Sequence, residues 1–176
     1  MQNILSAAEL RHQMQTRSLE VEERPGVYRW WFPQKQGELL FTRIEHNNLI
    51  KKEKIQVRII QKEYYLGLYY GISSNINRRI RWHIRGPFRS STLRRTLRAI
   101  IAPEADDSTA EQFVNQVIDK CFLEWDYTNT TKDAEQLETK ELTQTEIAYP
   151  LNISKNLTMP TEWITELKQL RASVPH

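Results

Sequence analysis

Two short stretches with strand character carry phenols. Gly26-Val27-Tyr28 opens the first, and Tyr69-Tyr70-Gly71 closes the second. Eight residues beyond Gly71 stands Arg79, and four further on stands His83. Positions i and i+4 share a helix face, so this guanidinium and this imidazole project toward one place. Downstream come a helical stretch with Leu137-Glu138 and the segment Pro150-Leu151-Asn152. A guanidinium neutralises anionic oxygens, and an imidazole or phenol takes or relays a proton. The set is equipped for a reaction in which negative charge grows on oxygen while a proton leaves water. Taken singly, each member also has a bland reading. Tyr28, Tyr69 and Tyr70 are ordinary strand-core aromatics, His83 a satisfied buried or surface residue, and Arg79 one of several neighbouring bases.

The elements that must position these residues follow from local signals. Ser6-Ala7-Ala8-Glu9 is a capping box for a helix running to about Ser18. After Pro25-Gly26, the run Val27–Phe32 has strong β propensity, and Pro33 ends it. Leu39–Ile44 and Ile55–Ile60 read as further strands around the polar stretch Glu45–Lys54, and Tyr64–Ile72 as a central strand. Ser73-Ser74-Asn75 caps a helix with Ile76, Ile80 and Ile84 on one face, stopped by Gly86-Pro87. Ser90-Ser91 caps another, with Leu93, Leu97, Ile100 and Ile101 inward. Ser108-Thr109-Ala110-Glu111 reads as a capping box for a helix burying Phe113, Val114, Val117 and Ile118. Cys121–Tyr127 is a strand, Asp133 begins a helix to about Ala148, and Pro160 stands near the start of a last helix. The order predicts an α+β fold, a small central and mostly antiparallel sheet flanked by helices.

Charge is distributed unevenly. The 176 residues carry a net charge of only +3. From Tyr64 to Pro103 no acid occurs, yet there are eight arginines: Arg78, Arg79, Arg81, Arg85, Arg89, Arg94, Arg95 and Arg98. From Glu104 to Ala148 twelve acids face only Lys120, Lys132 and Lys140. Arginine grips phosphate through a planar fork, so the first block is an electrostatic footprint for a polyanion. The isoleucines and leucines already fill the inward helix faces, so Arg78, Arg81, Arg85, Arg94 and Arg95 are expected to face solvent or phosphate. The single cysteine, Cys121, excludes an internal disulfide and a CxxC metal site, which makes a reducing cytoplasm the default compartment. No apolar run is long enough to span a bilayer, and no secretory signal is visible at the N-terminus. His12, His46 and His176 show no partners at metal-ligand spacing.

The ordered set Gly26-Val27-Tyr28, Tyr69-Tyr70-Gly71, Arg79, His83, a later helical glutamate and Pro150-Leu151-Asn152 resembles the GIY-YIG nuclease family, over about residues 25–152. The resemblance implies a catalytic domain there, with residues 1–24 and 153–176 as helical extensions. Tyr28 and Tyr69 are 41 residues apart, farther than is usual in that family, so residues 34–63 read as an insertion, most simply a β excursion. Tyr70 replaces the usual aliphatic residue of the second motif. The resemblance further implies a metal-dependent endonuclease acting on DNA, duplex or branched. Mg²⁺ or Mn²⁺ would be held by Glu138, with no small-molecule cofactor. Glu138 is preferred to Glu141 because Leu137 and Leu142 flank it, whereas Lys140, Gln144 and Thr145 surround Glu141; Glu146 is a third choice. Implied roles are Tyr28 helping to deprotonate water, Tyr69 positioning water or phosphate, Arg79 stabilising the phosphate, and His83 relaying a proton or orienting a tyrosine. Asn152 completes the set, with a structural alternative in which it holds the glutamate helix through backbone hydrogen bonds. The competing reading is a catalytically inactive nucleic-acid-binding module that keeps the fold and the arginine-rich face.

Overall fold

The computed structural model describes residues 3–174. Five antiparallel strands form one sheet: β1 (Asn3–Ser6), β2 (Gly26–Pro33), β3 (Val57–Ile60), β4 (Glu63–Ser73) and β5 (Phe122–Tyr127). Their order is β1-β5-β2-β4-β3, so the strands bearing Tyr28 and Tyr69 are neighbours near its middle. Seven α-helices surround the sheet: α1 (Ala7–Thr16), α2 (Gln34–Phe41), α3 (Ile76–Arg85), α4 (Thr92–Ile101), α5 (Asp107–Ile118), α6 (Thr131–Thr143) and α7 (Thr161–Ser173). The expected α+β architecture is present.

The main core lies on the sheet face of Tyr28, Trp30 and Phe32. Ile76, Ile80 and Ile84 of α3, Leu93 and Leu97 of α4, and Trp163 and Leu167 of α7 pack against it. On the opposite face α6 lays Ala134 and Leu142 over Val27 and Tyr70. Trp30, Trp31, Trp125 and Trp163 are all buried, as core residues should be.

Several elements depart from the sequence reading. Leu39–Ile44 is not a strand: α2 occupies Gln34–Phe41, and Leu40, Phe41 and Ile44 bury on one helical face. The apolar run Leu39-Leu40-Phe41 suits either period, and burial of Gly37 against Leu66 and Leu68 favours the helix. Of the second expected strand only Val57–Ile60 pairs, in a hairpin with β4 whose turn places Gln61 and Lys62 at positive φ. Helix α5 is capped by Asp106, which accepts from the amides of Ser108 and Thr109, rather than by Ser108. Its inward stripe is Ala110, Val114 and Ile118, leaving Phe113 46% exposed. Helix α6 starts earlier, with a reciprocal Thr130–Asp133 capping box, and stops at Thr143. Ala148 lies beyond it and instead donates its amide to Lys54 O at 2.9 Å. Strand β1 was not expected; it pairs with β5 from Asn3↔Trp125 to Ser6↔Phe122.

The largest correction concerns Arg94, which is 1% exposed rather than facing solvent or phosphate. Its Nη1 donates to His83 O (3.2 Å), Ile84 O (3.3 Å) and Asn115 Oδ1 (2.8 Å), tying the end of α3 to α5. Burial pushes its pKa down to about 10, with Glu111 opposing the shift. Arg98 is likewise buried and pairs with Asp107 at 2.7 Å. Removing Arg94 strands buried acceptors, so Arg94→Ala should lower the unfolding free energy by on the order of 3 kcal/mol. Arg85→Ala, on the exposed face of α3, should change it by less than about 0.5 kcal/mol. Urea denaturation of the two variants separates a structural arginine from a surface one.

Candidate active site

The site is built where β2 meets β4. Tyr28 stands opposite Gly71, and Trp30 opposite Tyr69. The next pair is Trp31↔Gly67, so Leu68 is an extra residue on β4 and forms a β-bulge. The bulge puts Leu68 and Tyr69 together on the core face that also holds Leu66, Tyr28 and Trp30. Strict alternation would have sent Tyr69 away from Leu68. Gly71 makes room for the other phenol: a Cβ there would lie 2.6 Å from Tyr28 Oη and 2.7 Å from Cζ. The glycine of the second motif therefore lets the Tyr28 ring lie across β4.

From α3, His83 meets that ring. It is 0% exposed, and its Nε2 lies 3.0 Å from Tyr28 Oη. Its Nδ1 is 2.7 Å from Ser91 Oγ, the N-cap of α4, which also accepts the Arg94 amide. The His83 ring packs within 5.1 Å of Tyr28, 6.1 Å of Tyr69 and 5.6 Å of Trp30 between centroids. Asn75 caps α3 by accepting the Arg78 amide, which sets the turn from which Arg79 and His83 project. Arg79 is half-buried, its guanidinium 5.3 Å from the Trp82 ring centroid.

Burial dominates the electrostatics. It raises the Tyr28 hydroxyl well above its ordinary pKa, helped by Tyr69 and Glu138 and opposed by Arg79. It also raises Tyr69, against which Arg79 and Arg171 act. His83 is driven well below its ordinary value, first by burial and then by the charges of Arg79 and Arg94. Near neutral pH both phenols are protonated and the imidazole is neutral.

Glu138 lies between Ala134 and Leu142 on the sheet-facing stripe of α6, with its side chain 16% exposed. Its negative charge reaches both Tyr28 and Tyr69. Leu137, expected to aim it, is instead exposed. Lys155 Nζ contacts the carboxylate at 2.9 Å. Glu141 is held elsewhere, by Arg29 at 2.6 Å and by the Tyr149 hydroxyl. That ion pair belongs to the network on the opposite face in which Glu124 binds Arg58 and Trp31. The Asn152 side chain holds the backbone of β4 rather than α6. It accepts from Tyr70 N at 2.8 Å and donates to Tyr70 O at 2.7 Å, while Leu151 N reaches Leu68 O at 3.0 Å. Asn152 thus extends the sheet edge where β3 stops and clamps the stretch that carries Tyr69 and Gly71.

The remaining sequence candidates divide. Arg78, Arg81 and Arg85 are exposed as expected, with Arg81 Nε on Asn77 Oδ1 at 2.7 Å, and Arg95 is half-buried. His12 is exposed, and His176 lies outside the described residues. His46 does have partners: its Nδ1 is 2.6 Å from Glu166 Oε2, and Glu45 joins within 4.8 Å. Glu166 also accepts the amides of Glu45 (2.7 Å) and His46 (3.1 Å), so the cluster works as a cap for the 3₁₀ turn Glu45–Leu49. Residues missed by the sequence reading are Ser91, recognised only as a cap, together with Lys155 and Arg171. Their relevance arises from tertiary packing and left no local signal.

A family model of the GIY-YIG catalytic domain matches residues 26–173. No curated protein and no solved structure matches the chain. The phenols, imidazole, guanidinium and carboxylate thus stand in a domain of nuclease type, and the chain belongs to the GIY-YIG family. Among the described residues no helix is long and apolar enough to cross a membrane.

The state of His83 has a measurable consequence. The unfolded chain takes up the His83 proton near pH ~6.5, whereas the folded site resists it to a much lower pH. Stability should therefore fall as pH drops below about 6.5, by roughly 1.4 kcal/mol per pH unit from this group. Above that pH the group should contribute no pH dependence. Denaturant titrations between pH 7.5 and 5 should show this slope in the wild type, and His83→Gln should remove it.

Proposed function

We propose that the chain is a metal-dependent endonuclease that hydrolyses DNA phosphodiester bonds. The observation that carries this reading is the buried Tyr28–His83 hydrogen bond, lying within reach of both the positive charge of Arg79 and the negative charge of Glu138. A pure binding module needs the arginines but has no use for a phenol hydrogen-bonded to a neutral imidazole. In this reading Arg79 neutralises non-bridging oxygens as charge builds on the phosphate. Tyr28 and His83 together provide a route for the water proton. With the imidazole proton on Nδ1 and donated to Ser91, Nε2 can accept the Tyr28 proton as Tyr28 Oη takes one from water. Such a coupled transfer needs no free phenolate, which burial makes costly. The cost of charging His83 beside Arg79 falls once the anionic substrate is seated.

Glu138 is the carboxylate that would hold the metal. A carboxylate whose charge is felt by the Tyr28 and Tyr69 hydroxyls offers oxygen donors, which suit a hard ion such as Mg²⁺ or Mn²⁺. Bound there, the ion would supply Lewis-acid stabilisation of the leaving oxygen. Tyr69, stacked beside Tyr28 with ring centroids 6.3 Å apart, is the group to position water or phosphate. Asn152 holds the strand rather than the substrate. The exposed arginines Arg78, Arg81 and Arg85 are the outer grip on the DNA, and Arg94 is excluded from that role by its burial.

Plasmid, branched and single-stranded DNA, and RNA, incubated with and without Mg²⁺ or Mn²⁺, test the activity. Arg79→Ala should slow cleavage by roughly 10²–10³, with only modest loss of binding. Glu138→Gln should abolish metal-stimulated cleavage, whereas Glu141→Gln should mainly destabilise the fold. Nucleic-acid binding by the wild type without cleavage under any of these conditions would identify a binding module instead.

A further inference from the structure

The arginines around the phenols are of two kinds. Arg94 and Arg98 are buried and matched, one with Asn115 and Glu111, the other with Asp107. Arg79, Arg95 and Arg171 are half-buried and unmatched. A buried Nε without a hydrogen-bond partner is common to all five, but among the described residues no carboxylate pairs with Arg79, Arg95 or Arg171. They come from separate elements: Arg79 from α3, Arg95 from α4 and Arg171 from α7, which packs against α4. The packing of α7 on α4 brings Arg95 and Arg171 close enough to oppose each other's charge, and the charges of Arg171 and Arg79 both act on Tyr69.

A half-buried group of like charges is repulsive and poorly solvated, so an empty cluster of this kind opposes folding. The fold pairs acids with Arg94 and Arg98 on the same helix, whereas the acid whose charge also reaches Tyr69, Glu138, is paired with Lys155 instead. We propose that Arg95 and Arg171, beside Arg79, form a phosphate subsite that grips the nucleic-acid backbone next to the scissile position. The identity of the phosphate as part of a nucleic acid rests on the nuclease reading; the anion site itself does not. Arg171 would then be a substrate-binding residue contributed by the last helix of the chain. The guanidinium forks suit a tetrahedral oxyanion bidentately, and the Trp82 ring beside Arg79 limits where that fork can turn.

The test uses the full chain, as wild type, Arg95→Ala, Arg171→Ala and the double variant. With inorganic phosphate as probe, at constant ionic strength set by chloride, the thermal midpoint of the wild type should rise and that of the double variant should not. Binding of a short labelled duplex in EDTA, titrated with salt, gives a second readout. Each single variant should bind roughly tenfold more weakly at 0.1 M salt, with a log–log salt slope less negative by about 0.9. Should a variant fail to fold, phenylglyoxal labelling of the wild type reads the same site. Phosphate should protect Arg95 and Arg171 but not Arg17, on the exposed end of α1. Equal responses to phosphate in wild type and double variant, or equal labelling with and without phosphate, would overturn the subsite. A wild type that responds to phosphate through these arginines but binds no nucleic acid would retain the anion site and overturn the nuclease reading.

Discussion

One hydrogen bond, from Tyr28 to His83, joins the sheet to the helical layer and sets what the surrounding elements must do. For the phenol to reach the imidazole, β4 must carry no side chain opposite Tyr28, and Gly71 meets that demand. For the imidazole to present Nε2 to the sheet, its other nitrogen needs a polar neighbour deep in the core, which Ser91 provides. Ser91 can do so only because α4 begins there, and α4 is pinned to the end of α3 by Arg94. Residues spread over α3, α4, β2 and β4 thus hold a single contact. In such a setting a neutral imidazole and a protonated phenol are the states that burial enforces, and both are matched by neutral partners rather than by charges.

The same logic separates the two faces of the sheet. Opposite the phenols, ionic groups are spent on one another: Arg29 on Glu141, Arg58 on Glu124, and Trp31 on that same glutamate. Beside the phenols, Arg79 has an aromatic neighbour and, among the described residues, no carboxylate paired with it, while Glu138 of α6 pairs with Lys155 at the surface. Positive charge without a paired carboxylate is thus found beside the phenols. The ring of Trp82 between Arg78 and Arg79 gives both guanidinium groups an apolar surface to rest on without discharging them.

Much of this arrangement is written in local sequence. The i, i+4 spacing of Arg79 and His83 and the cap at Asn75 fix a helix face from ten residues of text, and the two tyrosine motifs fall on strands of unmistakable β character. Less legible features depend on partners remote in the chain. Arg94 reads as one more exposed base until Asn115 and Glu111 arrive from α5. Leu39–Phe41 supports either a strand or a helix, and only packing on β4 decides. Asn152 offers no local hint that its amide will stand in for a missing strand, because the need arises only where β3 leaves β4 uncovered past Leu66. Glu138 was singled out through a neighbour, Leu137, that turned out to be exposed; the stripe that aims it is Ala134 and Leu142.

The bulge at Leu68 divides β4 into two stretches. Both pair with β2, but before it Glu63–Leu66 also pairs with β3, and after it Tyr70 is clamped by Asn152. The aim of Tyr69 is thus set beyond the bulge, by β2 and by Asn152. The segment ahead of β4 is no loose appendage, because Leu40, Phe41, Ile44, Ile50 and Ile55 are set into the same core that holds the phenols, like a keystone added from outside the arch.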